Sequence, residues 1–329
     1  MDHLPSLDCP PLADGRYERW FTDVSVWARY VAWVADRHGL PAPTSLSVGT
    51  PGSHPVFLTA GGYVVKFFAP HWPEDAWKEP RIYRLLAMMS QAAIPHPKLL
   101  AADCLFPGRP WAWPYMVLEL AKGAPVAAVA PSLGVHAWRD LAGALGRVVR
   151  TLHSVSWESA VPGLADRSAR DLTEWRRSAP DRRHSEPLWE RLDFAGWEAY
   201  WAAAFSTSAP VRSLVHGDLT ADNLFVRVEG TTIHLASIID WADVMGCDPA
   251  YDLVPLYIDL FRCQPALLRA FRSGYGEGPL FRPGWQKRAT AFLLAFRFDL
   301  GSLLNRVEPA LSSVTRLEDV EALLWDGVS

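Results

Sequence analysis

Residues 215 to 224 read Val215-His216-Gly217-Asp218-Leu219-Thr220-Ala221-Asp222-Asn223-Leu224. Polar residues and a glycine stand between two β-prone runs, which predicts a loop held at both ends by strands. Loops braced in this way commonly carry reacting groups. The next β-prone run closes on Ile238-Ile239-Asp240-Trp241. A carboxylate directly after a buried apolar strand is poorly explained by packing. The spacings, 223 − 218 = 5 and 240 − 218 = 22, allow one hairpin to return Asp240 beside the loop.

An Asp, an Asn and a second Asp are a coherent set of parts. One carboxylate can accept the proton of an attacking hydroxyl. The Asn carbonyl and the other carboxylate are hard oxygen donors suited to Mg²⁺, which also takes waters and phosphate oxygens. That set fits phosphoryl transfer, where the protein mainly positions groups and neutralises charge. A phosphate-binding cation is then expected upstream. Lys66, in Tyr63-Val64-Val65-Lys66-Phe67-Phe68, is a lone ammonium in an apolar strand and needs an anionic partner. Before it comes a turn, Gly49-Thr50-Pro51-Gly52-Ser53, whose backbone N–H groups could cover phosphates.

Outward from these segments the chain divides in character. Glu18 to His38 has apolar residues at helical spacing and stops at Gly39, with Pro41 beyond. Short β-prone runs follow at Ser45 to Val48, Pro55 to Thr59 and Gly62 to Phe68, with a further apolar strand at Tyr115 to Leu120. Arg81 to Met89 reads as a helix between them. After Gly123 helical periodicity dominates: His136 to Val155, Glu186 to Phe205, Tyr251 to Tyr275, Trp285 to Leu304 and Leu317 to Trp325. The first fifteen or so residues, rich in proline, read as a loose lead. The expected fold class is α+β with a strand-rich N-terminal lobe (1–120) and a mainly helical C-terminal lobe (121–329).

Composition narrows the partners. The chain has 329 residues, half of them hydrophobic, and a net charge of 32 − 36 = −4. It lacks the basic excess of a nucleic-acid binder. No apolar run approaches the ~20 residues of a membrane span. The N-terminus lacks the basic start and apolar stretch of a signal peptide. The four cysteines form no CxxC and have no zinc-site histidine. A cytoplasmic, monomeric protein with reduced thiols is expected, with neither nucleic acid nor membrane as partner. The sixteen tryptophans are expected to serve packing.

HGDLTADN followed by IIDW, with VVKFF upstream, resembles the aminoglycoside phosphotransferase family, whose fold is that of the protein kinases. Four stretches are similar to the hygromycin B phosphotransferases in particular: Gly52 to Val56, His71-Trp72, Trp113-Pro114-Tyr115, and Phe292 to Gly327 with its Leu324-Trp325-Asp326-Gly327 ending. The resemblance implies Asp218 as the base for the substrate hydroxyl and Asn223 and Asp240 as Mg²⁺ ligands. It implies Lys66 as the contact to the α and β phosphates, and His216 and Gly217 as loop-shaping residues. It makes Val117, Leu118, Glu119 and Leu120 the hinge whose backbone pairs with a purine, with ATP or GTP as phosphate donor. The glycine turn, with Gly49, Gly52 and Ser53, becomes the phosphate cover. A cationic aminoglycoside, a small sugar-alcohol, needs carboxylates on the helical lobe, and Asp243, Asp259 and Asp299 are the candidates.

One departure concerns the helix glutamate that pairs with the lysine in this family. Glu79 is the best match, but Pro80 follows it. Proline is tolerated in a helix's first turn, which places Glu79 at a helix start, with Glu74 as the fallback. Asp248 is expected to cap a helix beginning at Pro249, and His153 to be a helix-terminal packing residue. Two other functions fit the same residues: a metabolic kinase for a sugar, choline-like or amino-alcohol substrate, and a nucleotide-binding scaffold without turnover. A metal-hydrolase set of His216, Asp218 and His234 lacks a third ligand at ordered spacing.

Overall fold

The computed structural model describes residues 4–12, 17–90, 93–206, 211–298, 304 and 307–328. It divides into two compact units. Residues 1–122 form the first, joined by Ser237–Ala242, and Gly123–Ala236 with Asp243–Ser329 form the second. The short return to the first unit carries Asp240, which a single boundary near residue 121 does not express.

In the first unit, strands β1 (Leu46–Val48), β2 (Val56–Thr59), β3 (Tyr63–Phe67), β4 (Leu99–Leu105) and β5 (Trp113–Glu119) form one antiparallel sheet in the order β1-β2-β3-β5-β4. The expected single helix from Glu18 is two: α1 (Tyr17–Phe21) and α2 (Val24–Arg37). Asp23 makes the break, because its carboxylate accepts from the Ser25 N–H at 2.9 Å and so caps α2. Within the lead before α1, the described stretch is tied down at Pro5 and Leu7 rather than loose. Leu7 is buried, and its carbonyl accepts from the Trp113 indole at 2.7 Å. The Tyr30 hydroxyl donates to the Pro5 carbonyl at 3.0 Å. Around these contacts Trp27 packs on Trp20, Phe67 and Trp113 with centroids 5.0, 4.8 and 5.2 Å apart. Trp20, Trp27 and Trp113 thus serve packing in this core.

Helix α3 (Pro73–Ala87) corrects the sequence expectation most sharply. It begins well before Arg81 and runs straight through Pro80, so Glu79 lies in its interior. An internal proline costs a helix about 3 kcal/mol. Burial of Ile82, Tyr83, Leu85 and Leu86 on the same helix offsets that cost.

In the second unit, β6 (Ala124–Pro125), β8 (Leu224–Glu229) and β9 (Thr232–Ile238) form a small sheet beside the short α4 (Val126–Val129). β7 (Ser213–Val215) pairs with β10 (Met245–Cys247). The helices are α5 (Val135–Leu152), α6 (Leu164–His184), α7 (Trp197–Phe205), α8 (Leu253–Pro255), α9 (Pro265–Tyr275), α10 (Trp285–Ala295), α11 (Glu308–Leu311) and α12 (Leu317–Trp325). α5 and α9 cross so closely that a Cβ on Gly274 would lie 2.0 Å from the Gly143 carbonyl oxygen.

The expected helix from Glu186 instead yields a short turn at Pro187–Trp189 and then α7. α6 is unforeseen: of its 21 residues only Leu164, Ser168, Ala179 and Arg183 are buried, too few for an apolar periodicity. α10 stops at Ala295 rather than Leu304. There the buried Arg183 takes the Leu294 carbonyl at 3.0 Å and also the Phe296 carbonyl, while Arg182 takes the Ala295 carbonyl at 2.7 Å. Two guanidinium groups thus satisfy carbonyls that the end of a helix leaves without partners.

Candidate active site

Lys66 sits in β3 between β2 and β5, paired in register with Val56 and Met116. Its side chain is 9% exposed. Nζ lies 2.8 Å from Glu79 Oε2 and 2.7 Å from Asp240 Oδ1, so the lone ammonium has two carboxylate partners. Burial alone would lower its pKa, but the Asp240 and Glu79 charges outweigh that and hold it well above the ordinary lysine range. Burial pushes the Glu79 carboxyl up to about 7, with Lys66 pulling it down and Asp240 pushing it further up. The strain of the three-charge cluster falls on Glu79 because that side chain is 1% exposed, whereas Asp240 is 45% exposed.

Glu79 has a second task. Its Oε1 accepts from the Trp241 N–H at 3.1 Å. That bond holds the peptide directly after Asp240, whose φ of 62° lies in the left-handed region. A non-glycine residue there is uncommon, and Asp tolerates it better than most. The internal position of Glu79 in α3 is therefore what brings its carboxylate to both Lys66 and the Asp240–Trp241 turn.

The glycine turn behaves differently from residue to residue. The Gly49 N–H donates to the Val56 carbonyl at 2.9 Å, so it extends the β1–β2 ladder and is not available to a phosphate. Among the described residues the N–H groups of Gly52 and Ser53 donate to no other group, and the space around Gly52 is open. His54 anchors the turn. Its Nδ1 accepts from the Ala69 N–H at 3.1 Å, so Nε2 carries the proton and donates to Asp75 Oδ2 at 3.0 Å. Burial holds its pKa below the ordinary value despite the Asp75 hydrogen bond, which makes the contact a hydrogen bond of a neutral ring.

The expected hinge is also refined. Val117 and Leu118 are inside β5, flanked by β3 and β4, and their backbone groups belong to those two ladders. The Glu119 and Leu120 N–H groups donate to Lys98 and Gly62 carbonyls at 2.9 and 3.2 Å. Purine pairing from Val117 or Leu118 is thus closed off by the sheet itself.

In the second unit the loop after β7 is held in large part by carboxylates that take its backbone N–H groups. Asp252 Oδ2 accepts from the His216 N–H at 3.1 Å and Oδ1 from the Gly217 N–H at 2.8 Å. His153 Nε2 lies 3.0 Å from the same Oδ2, and its Nδ1 lies 3.0 Å from the Tyr275 hydroxyl. His153 is therefore part of the loop's support as well as a helix-terminal packing residue. Gly217 has φ of 84°, and a Cβ there would meet the Asp243 carbonyl oxygen at 2.2 Å. Only glycine fits both conditions. His216 is buried, with Nδ1 accepting from the Asp218 N–H at 3.2 Å.

Asp218 and Asn223 are in contact. Asn223 Nδ2 donates to Asp218 Oδ2 at 2.7 Å and to the Asp218 carbonyl at 3.0 Å. Both side-chain bonds of Asn223 use Nδ2, which leaves the carbonyl oxygen Oδ1 as its spare donor to a cation. That hard oxygen, and the half-exposed carboxylate of Asp240, suit Mg²⁺ in chemical type. Among the described residues no group of three or more His, Cys, Asp or Glu could hold a metal by itself.

The three acids expected to bind a cationic substrate fare differently. Asp243 is ion-paired with Arg297, whose guanidinium also lies 5.8 Å from the Trp175 ring. Asp259 accepts from the Ala221 N–H at 2.9 Å. Asp299 lies outside the described residues. Asp248 caps the turn at Pro249 by accepting from the Ala250 N–H at 3.0 Å, as expected. Two stretches behind the hygromycin-type likeness contribute core tryptophans: Trp113 is fully buried, and Trp325 stacks on Tyr257 at 4.9 Å.

The fold is shared with known enzymes. It matches the GDP complex of wild-type aminoglycoside 2'-phosphotransferase-IIIa with a TM-score of 0.65 at 19% identity, over 91% of this chain and 97% of that one. It matches the streptomycin–ATP–APH(2")-IIa ternary complex with a TM-score of 0.54 at 14% identity, over 89% and 97%. The architecture is thus the protein-kinase-like one of such enzymes, an antiparallel-sheet N-lobe and a helical C-lobe. Residues 51–290 match the phosphotransferase enzyme family (APH), and the protein belongs to that family. No helix among the described residues is long and apolar enough to cross a membrane.

Proposed function

We propose that the protein moves the γ-phosphate of ATP or GTP to a hydroxyl of an aminoglycoside, with hygromycin B the first substrate to test. The observation that carries this reading is Lys66, a buried ammonium fixed by Glu79 and Asp240. A cation already oriented by two carboxylates needs no reorganisation when phosphate arrives. Lys66 holds the α and β phosphates, and the amides of Gly52 and Ser53 cover them. Asp218 accepts the proton of the substrate hydroxyl, while Asn223 orients the Asp218 carboxylate through its Nδ2 bond. Asn223 Oδ1 and Asp240 would hold Mg²⁺, which when bound neutralises phosphate charge.

A coupled assay that detects ADP or GDP, run over a panel of aminoglycosides, tests the reading. Asp218→Ala should lower turnover about 10²- to 10⁴-fold, the usual worth of a general base. Nucleotide affinity should hardly move. Turnover at the wild-type rate in that variant would remove Asp218 from the base role. Survival of a susceptible bacterium on hygromycin B, but not on other aminoglycosides, is the expected outcome for the narrow substrate.

One observation favours a second reading, a kinase for a sugar, choline-like or amino-alcohol substrate. Asp243 and Asp259, two acids expected to greet a cationic substrate, already have partners in Arg297 and Ala221. Nucleotide-dependent transfer to such alcohols, with none to aminoglycosides, would decide for it.

A further inference from the structure

Asp259 belongs to a single π-helical turn, Leu256–Leu260, in which the Phe261 N–H reaches back to the Leu256 carbonyl at 2.9 Å. Such turns are rare and recur at functional places. Leu256, Tyr257, Ile258 and Leu260 are buried, and Asp259 is the partly exposed residue of the turn. Its Oδ1 accepts from the Ala221 N–H at 2.9 Å. Ala221 stands between Asp218 and Asn223, and its carbonyl accepts from the Ala127 N–H at 3.0 Å. The peptide groups in the middle of the loop are therefore gripped from two sides. Seven residues earlier, roughly two helical turns, Asp252 grips the beginning of the same loop through His216 and Gly217. Burial, and to a smaller degree the Asp222 charge, push the Asp259 carboxyl above its ordinary value, while the Ala221 N–H pulls it down.

We propose that Asp259 is a positioning residue for phosphoryl transfer: by accepting the Ala221 N–H it fixes the span between Asp218 and Asn223, acting as a hydrogen-bond acceptor and not as a charge for the substrate. The inference rests on Asp218 being the base. Asp259→Asn keeps a carbonyl oxygen for Ala221 and removes the charge. Asp259→Ala removes both. The full chain carrying each substitution is assayed for kcat, alcohol KM and nucleotide Kd, and by hydrogen exchange of the peptide spanning 219–224.

Asp259→Ala should lower kcat about 10- to 100-fold, the scale of an ångström-sized misplacement. KM and nucleotide Kd should stay within about threefold, and the Ala221 amide should exchange faster. Asp259→Asn should restore kcat to within about threefold and exchange to the wild-type rate. The proposal is overturned if both variants raise KM alike with kcat unchanged, because charge would then be what matters. Should the alanine variant not fold, the asparagine variant alone decides, a raised KM overturning the proposal and unchanged constants supporting it. If the wild-type chain transfers phosphate to no alcohol, the proposed function fails. Exchange still tests Asp259 in that case: wild-type protection of Ala221 in Asp259→Ala sinks it.

Discussion

The Lys66 cluster and the loop from His216 to Asn223 both bury polar groups, but they are organised by opposite means. At Lys66 three side-chain charges hold one another, Lys66 with Glu79 and Asp240. In the loop, carboxylates on a following segment take backbone N–H groups, Asp252 from His216 and Gly217 and Asp259 from Ala221. A charge cluster shifts its balance when one member goes, and losing the shared Lys66 would leave two carboxylates without their counter-charge. A backbone-held loop asks only for acceptors, so what matters is how many oxygens each carboxylate must offer. The difference teaches that net charge governs one region and oxygen count the other.

Glu79→Ala is expected to have the largest effect. It leaves Lys66 with Asp240 of its two carboxylates and takes Oε1 from the Trp241 N–H, so a loss of about 2–3 kcal/mol is expected. Urea unfolding measures it, with Lys66→Met in the Glu79→Ala background recovering part of the loss. Failure of the second substitution to recover anything would place the cost in the Trp241 bond and not in the charge. Asp252→Asn comes next. Asp252 Oδ2 faces two donors, the His216 N–H and His153 Nε2, and Oδ1 faces Gly217. An amide nitrogen must confront one of them, so about 1–3 kcal/mol should be lost by the same unfolding measurement. An Asp252→Asn chain as stable as wild type would break the oxygen-count argument for the loop.

These contacts also show what sequence can carry. Strands β1, β2, β3 and β5 of the sheet lobe, the loop before Asn223 and the presence of a carboxylate after β9 follow from local pattern: short β-prone runs, glycine, and an acid where packing wants none. Glu79 was harder to place because the local rule for proline points to a helix start, and the burial that overrides the rule comes from residues three to seven positions later. α6 leaves no amphipathic signal, because only Leu164, Ser168, Ala179 and Arg183 among its residues are buried. The grip of Asp252 on a loop 35 residues away, and of His153 on Asp252 across 99 residues, leaves no periodic trace at all. Asp259 read as a surface acid open to substrate for the same reason: nothing in its neighbourhood mentions Ala221.

His54 sharpens the comparison within the sheet lobe, because here a titratable group is held neutral. Its folded pKa lies below the ordinary histidine value. The unfolded chain therefore takes up a proton at a higher pH than the folded chain does. Stability contributed by the neutral ring is full above the ordinary histidine pKa and is lost as pH falls through it towards the folded value. His54→Gln removes this titration. Melting temperatures of wild type and variant, followed from pH 8 down to pH 5, should converge as wild type loses stability faster. A gap that widens would mean that His54 is charged in the folded protein and that its bond to Asp75 is an ion pair, and a constant gap that folding does not move its pKa.

The smallest effect on stability is expected at Gly52, where the comparison turns from side chains to amides. In the loop after β7 the N–H groups of His216, Gly217, Asp218 and Ala221 are all committed. In the turn after β1 only Gly49 is committed to the ladder, and Gly52 donates to nothing among the described residues. Gly52 has open space where a Cβ would go and is not among the left-handed glycines. Gly52→Ala should therefore change stability by no more than about 0.5 kcal/mol. Gly49→Ala should cost more, because its Cβ would lie 2.9 Å from Val56 Cγ1. If free amides of this turn cover phosphates, the new methyl at Gly52 stands where a phosphate must approach, and nucleotide affinity should fall with stability untouched. Calorimetric titration with ATP and GTP reads that directly. Wild-type affinity for both nucleotides would mean that the turn is an ordinary hairpin connection, with the phosphates left to Lys66.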